Sequence, residues 1–203
     1  VGNEVSVKDI LIHSKDFYQS RGMSLLLEEK ITKVHPGKRE AVSDKGVTYP
    51  YDSLLVATGG NAFVPAIKGV EKKGVFTLRS MKDALDLKEY TRGVKQAVLV
   101  GAGLVGLETG GALSRRGIRV AVVDHNSRIL PRQVDPEGAR ILQEKMEGMG
   151  FTFFLHGQTE EILGKEGMEG LRLKDGRSVE GQMVILSTGV RPNVELARQT
   201  GLD

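Results

Sequence analysis

Three glycines and one acid are the residues of this sequence best suited to handling a ligand. Gly101, Gly103 and Gly106 stand at the spacing G-x-G-x-x-G, and Asp124 follows twenty-three residues after Gly101. Each has a physical task beside a phosphate-bearing ligand. Gly101 permits a tight turn, Gly103 lets a pyrophosphate approach the backbone, and Gly106 lets a helix pack closely on a strand. A helix starting at this loop offers unpaired N–H groups and the positive end of its dipole to the phosphates. An acid at the next strand end accepts hydrogen bonds from a ribose 2′-hydroxyl. The pattern points to a dinucleotide site; the competing reading is a glycine-rich turn that binds nothing.

The surrounding elements must position these residues. Gln96-Ala97-Val98-Leu99-Val100 is the apolar run of a buried parallel strand. A helical pattern follows the glycines and ends at Arg115-Arg116-Gly117, and a second β-branched run, Val120-Ala121-Val122-Val123, stops at Asp124. Gly110 and Gly111 fall inside that helix, where glycine costs about 1 kcal/mol against alanine. They predict a close helix–sheet contact.

The other elements read as follows. Residues 5–12 are extended in pattern, and Ser14 caps a short helix over 15–21 that Gly22 ends. Residues 23–27, 31–34 and 53–57 read as strands, and 38–42 with 47–49 as a hairpin. Residues 61–75 form an irregular crossing. Ser80-Met81-Lys82-Asp83 resembles a capping box, predicting a helix to about Tyr90, and Asp135-Pro136-Glu137 starts another that closes at Gly148 and Gly150. Residues 151–155 and 183–186 read as buried strands, with an antiparallel meander between them turning at Asp175-Gly176. A last helix spans 194–200. The expected fold is α/β: a Rossmann-like domain, parallel sheet plus β-meander, inserted in a partial domain of the same type.

Composition excludes several functions. There is no cysteine, hence no disulfide, thiolate metal site or dithiol within these residues. The four histidines show no ligand spacing, so no metal site is expected. The 29 basic and 26 acidic residues are dispersed, and doublets such as Lys72-Lys73 do not make a nucleic-acid stripe. The longest apolar stretch is too short and too glycine-rich to cross a bilayer, and no signal peptide is visible. A cytoplasmic location is expected. Val1 at the start, and a final element that reads as continuing, suggest a fragment.

Three motifs in order resemble the pyridine nucleotide-disulfide oxidoreductases. They are Tyr51-Asp52-Ser53-Leu54-Leu55-Val56-Ala57-Thr58-Gly59, the run from Gly101 to Glu108, and Ser187-Thr188-Gly189-Val190-Arg191-Pro192-Asn193. The last favours the branch of NADH oxidases, nitrite reductases, rubredoxin or ferredoxin reductases and coenzyme A-disulfide reductases. The resemblance implies FAD and an NAD(P)H domain inserted into the FAD domain. Residues 1–92 would be the distal part of the FAD domain, 93–190 the NAD(P)H domain, and 191–203 the start of the return. Members also carry an earlier glycine motif for FAD and a later Gly-Asp motif, and neither is in this sequence; about half of a typical member is expected.

The resemblance also implies roles. Gly101, Gly103, Leu104, Val105 and Gly106 would line the pyrophosphate, and Asp124, followed by His125, would hold the adenosine ribose. NADH is expected over NADPH, although Arg128 and Arg132 can neutralise a phosphate. Glu108 would meet the nicotinamide carboxamide, or else is simply a glutamate stabilised by the helix dipole. Gly189 and Val190 would pass the nicotinamide ribose, and Thr58 and Gly59 the FAD pyrophosphate. No catalytic side chain is expected here. Hydride would pass to flavin and the electrons to a disulfide, oxygen or a redox protein, in an intact homodimer. An NADH-binding sensor without turnover and a flavin-free dehydrogenase are the alternatives.

Overall fold

A computed structural model describes residues 7–201. They form two compact units: a central unit, Ala62–Arg191, and a flanking unit built from the residues up to Asn61 and from Pro192 onward.

In the flanking unit, Val7–Ile10 is a 3-10 turn, where an extended segment over 5–12 was expected; residues 5 and 6 lie outside the described residues. Helix α1 (Lys15–Gln19) starts where the Ser14 hydroxyl accepts from the Phe17 N–H at 3.3 Å. Strands β1 (Ile31–His35), β2 (Glu40–Ser43) and β3 (Thr48–Pro50) make an antiparallel sheet in that order. Two expected strands, at 23–27 and 53–57, do not form. Their apolar composition is strand-like, but a strand exists only through a ladder partner, and neither has one among the described residues. Leu55 is accordingly 88% exposed, and Leu25, Leu26, Leu27 and Leu54 are exposed as well. β4 (Gly60–Ala62) then leads into the central unit.

The central unit opens with β5 (Val75–Thr77) and α2 (Met81–Tyr90). The capping box at α2 is present: the Asp83 N–H donates to the Ser80 hydroxyl oxygen, and the Ser80 N–H to the Asp83 carboxylate. There follow β6 (Gln96–Val100), α3 (Leu104–Ser114), β7 (Arg119–Val123), α4 (Pro136–Glu147) and β8 (Phe151–Phe154). The meander β9 (Thr159–Leu163), β10 (Gly170–Leu173) and β11 (Ser178–Glu180) precedes β12 (Met183–Leu186). β13 (Val190–Pro192), not foreseen, runs over the end of the unit at Arg191, and α5 (Glu195–Gln199) belongs to the flanking unit.

Five strands form one sheet in the order β5-β12-β6-β7-β8, all pairs parallel. Alternate side chains leave opposite faces of a strand, and both faces here are buried. Ala97, Leu99, Val120, Val122 and Ile185 pack with Leu87, Leu107, Leu113 and Met146 of the three helices. Val98, Val100, Ala121, Val123 and Val184 pack with Ile162, Leu171, Leu173 and Val179 of the meander. The sheet is therefore covered by helices on one side and by antiparallel strands on the other.

The boundary between the units falls at 61/62, not at 92/93. Residues 62–92 join the central unit because β5 pairs with β12 and the Leu87 side chain is fully buried in the helix-side core. Burying one leucine contributes about 1.5–3 kcal/mol, enough to fix α2 on this sheet.

Candidate functional site

The carboxyl ends of parallel strands are where an open α/β sheet binds ligands. In the central unit the ends of β12, β6 and β7 and the loop after β8 surround a cleft of about 680 Å³. Gly101, Gly103, Asp124, His125, Arg132 and Gly189 all line it. Leu104, Val105, Gly106, Glu108 and Val190 do not.

The three motif glycines are needed for different reasons. Gly101 has φ +111°, and a Cβ there would lie 2.5 Å from the Ser187 carbonyl oxygen. A Cβ on Gly106 would lie 2.4 Å from the Gly101 carbonyl oxygen and 2.5 Å from the Ser187 hydroxyl. Both positions are closed to any side chain by the protein itself. Gly103 differs: a Cβ there would meet no protein atom within 4 Å, and its φ of −85° is open to any residue. Gly103 is the N-cap of α3, with no side chain capping the helix. The first-turn N–H groups therefore have no side-chain acceptor at the cap and lack intrahelical partners. The space a Cβ would take, and those donors, suit an anion pressed against the backbone.

Further along α3, a Cβ on Gly110 would stand 2.8 Å from both Leu99 Cδ1 and Phe151 Cε1, so this glycine does permit close helix–sheet contact. Gly111 does not: its nearest neighbour would be the Arg115 side chain at 3.6 Å.

Asp124 is 7% exposed. Its Oδ2 accepts from the Ala102 N–H at 2.6 Å, and its Oδ1 from the Asn126 N–H at 2.7 Å and the Asn126 side-chain amide at 2.8 Å. His125 Nδ1 stands 3.6 Å from Oδ1. A carboxylate offers about four acceptor positions; the protein fills three. Asp124 thus clamps the glycine turn of β6 to the end of β7.

The loop leaving Asp124 folds back over the turn, the Leu130 N–H donating to the Ala102 carbonyl at 3.1 Å. This places exposed Arg132 at the cleft. Arg128, the other candidate, donates to the Pro131 and Val134 carbonyls and is not a cleft residue.

In the sequence Ser187 opens the third motif, with no role assigned to it. Its hydroxyl lies 3.1 Å from the Val100 carbonyl and 3.0 Å from that of Gly101, and its N–H donates to Val100. It braces the turn from the neighbouring strand. Beside it, Thr188 donates to the Phe63 carbonyl and the Phe63 N–H to the Gly189 carbonyl. Asn126 and Lys174, also cleft residues, were likewise missed. Ser187 and Lys174 reach the cleft through the packing of strands distant in sequence, which no local spacing encodes, and Asn126 through the fold of its own loop.

Thr58 and Gly59 sit in the flanking unit, and both are exposed. The Thr58 hydroxyl donates to the Asn193 carbonyl at 2.6 Å, the Asn193 amide to the Thr58 carbonyl, and the Asn193 N–H to the Gly59 carbonyl. Among the described residues no cluster of three or more metal-ligating side chains exists, and no helix is long and apolar enough to cross a membrane.

The family model of pyridine nucleotide-disulphide oxidoreductases matches residues 3–203. The chain belongs to this family. Relatives within this oxidoreductase family include the NAD(P)H nitrite reductase of Bacillus subtilis (strain 168), 36% identical over 199 residues, 98% of this chain and 25% of that protein. The NADH oxidase of Methanocaldococcus jannaschii is 37% identical over 203 residues, 97% of this chain and 45% of that protein. The crystal structure of a ferredoxin reductase from Rhodopseudomonas palustris is similar with a TM-score of 0.93 at 25% identity, covering 98% of this chain and 49% of that one. The chain thus spans about a quarter to a half of the length of these proteins.

Proposed function

We propose that the central unit is the pyridine-nucleotide module of a flavin-dependent oxidoreductase and holds NAD(H) across the strand ends. The observation that carries this is Gly103, glycine at a position where the protein leaves a side chain room and conformational freedom. Its missing Cβ makes sense as clearance for a ligand, and the uncapped α3 terminus beside it favours a phosphate.

In this reading the pyrophosphate lies against Gly101, Gly103 and the N–H groups of Leu104, Val105 and Gly106. Asp124 offers its remaining acceptor position to the adenosine ribose, and its buried charge favours NADH over a 2′-phosphorylated nucleotide. His125 and Arg132 flank that end. Gly189 and Val190 pass the nicotinamide ribose. Glu108 at the carboxamide rests on the family pattern alone, since this exposed residue does not line the cleft.

The flanking unit is, on this account, part of an FAD domain with Thr58 and Gly59 near the flavin pyrophosphate. The hydride chemistry belongs to nicotinamide and flavin. What this chain supplies is position: the braced turn orients the dinucleotide, and good orientation is worth several kcal/mol of barrier. A disulfide, oxygen or redox-protein acceptor, a homodimeric intact protein and a cytoplasmic location complete the proposal.

Amide chemical-shift mapping of the 203-residue chain with NADH tests it. The expected shifts cluster at Gly101, Gly103, Leu104, Asp124 and Gly189. Shifts elsewhere, or none at millimolar NADH, would reject the assignment.

A further inference from the structure

One cation at the cleft comes from outside the parallel sheet and its helices. Lys174 begins the turn between β10 and β11, and its N–H donates to the Gln158 carbonyl at 2.9 Å. Gln158 belongs to the loop after β8, whose Gly157 N–H donates to the Asp124 carbonyl at 2.9 Å. Two backbone bonds thus tie the Lys174 turn to the Asp124 end of the cleft, away from Gly189. Lys174 and Gln158 both line that cleft.

The charge pattern of the meander leaves Lys174 unpaired, as it does Lys165, which does not line the cleft. Arg172 pairs with Glu160 and Glu161, Lys68 with Glu161, and Arg177 with Asp175 through two hydrogen bonds. Asp175, the acid adjacent in sequence to Lys174, is therefore already occupied. The exposed Lys174 ammonium has no ion-pair or hydrogen-bond partner among the described residues, and the same holds for Arg132. Asp124, the carboxylate of the cleft, has most of its acceptor capacity taken by Ala102 and Asn126. Two cations without a partner thus line the cleft, against one acid, Asp124, whose charge its hydrogen bonds leave in place.

We infer that Lys174 is a specificity-determining residue that engages a 2′-phosphate on the adenosine ribose, so that the site accepts NADPH as well as NADH. This rests on the dinucleotide reading of the cleft. The meander is then more than a cover for the sheet, since it contributes a side chain to the nucleotide site. NADH, lacking that phosphate, does not depend on Lys174.

Calorimetric titration of the 203-residue chain with NADPH and with NADH tests this in wild type, Lys174→Ala and Lys174→Arg. Only the exposed side chain changes, and the backbone bond to Gln158 is kept. Losing one charge-assisted hydrogen bond should raise the NADPH Kd about tenfold in Lys174→Ala. Lys174→Arg should restore most of that affinity, and NADH affinity should move less than about twofold. Equal weakening of both nucleotides, or no change in either, overturns the inference while leaving the dinucleotide site standing. Failure of the wild type to bind either nucleotide overturns both.

Discussion

The Asp124 carboxylate, at the end of β7, accepts a 2.6 Å hydrogen bond from the Ala102 N–H inside the glycine turn of β6. The acid read from the sequence as a ribose ligand is therefore first a clamp, joining the two strand ends on which a dinucleotide would lie. Replacing it alters stability and binding together. In Asp124→Asn the charge is lost and at least one buried N–H loses its acceptor. The unfolding free energy should fall by about 2 kcal/mol, with NADH affinity reduced as well. Urea denaturation checks the first part; unchanged stability would remove the clamp from the account.

The motif glycines should separate cleanly in stability. Gly106→Ala forces a Cβ to within 2.4 Å of the Gly101 carbonyl, and overpacking of this kind costs about 1–3 kcal/mol. Gly103→Ala meets no protein atom within 4 Å, and its cost is the poorer N-cap alone, under about 1 kcal/mol. Chemical denaturation of both variants gives the order directly.

Much of this site was legible in the sequence, and the limits are physical. Glycine spacing, the acid at the strand end and the caps at Ser80 and Asp135 are local signals, and each corresponds to an element or turn in the structure. Of the residues missed, Ser187 acts from the end of β12 on neighbouring β6, and Lys174 comes from the turn between β10 and β11 of another sheet; Asn126 bonds Asp124 two residues away, a contact that depends on how the loop folds. The segments misread, 23–27 and 53–57, have strand composition without a ladder partner among the described residues. Apolar periodicity reports a preference for burial; it does not say which neighbour will supply it.

Ser187 should behave as a brace. Ser187→Ala removes a hydroxyl lying 3.0 Å from the Gly101 carbonyl and 3.1 Å from that of Val100. The expected loss is about 1 kcal/mol of stability, with a several-fold weaker NADH affinity because the turn is less rigidly held. Binding and denaturation on the same sample check both.

Acid should loosen the tie between the crossing segment and the meander. Glu161 is held below the usual carboxylate range chiefly by its hydrogen bond with Lys68, with Arg172 adding to the effect. A depressed pKa contributes stability above the unfolded value, near pH 4.3, and loses it as pH falls toward the folded value. Glu161→Gln should therefore melt at a lower temperature than wild type at neutral pH, and the two curves should converge on acidification. A melting difference that stays constant down to pH 3 would rule this out.

The most direct measurement is calorimetric titration of NADH into the 203-residue chain and into Gly103→Ala. Gly103 faces open space in the protein, so its substitution reports on the ligand rather than on the fold. Wild type should bind NADH at submillimolar to millimolar concentration, and Gly103→Ala, folded and nearly as stable, should bind at least about tenfold more weakly. Equal affinities for the two chains, or no binding by wild type at millimolar NADH, would contradict the assignment of this turn as a pyrophosphate cradle.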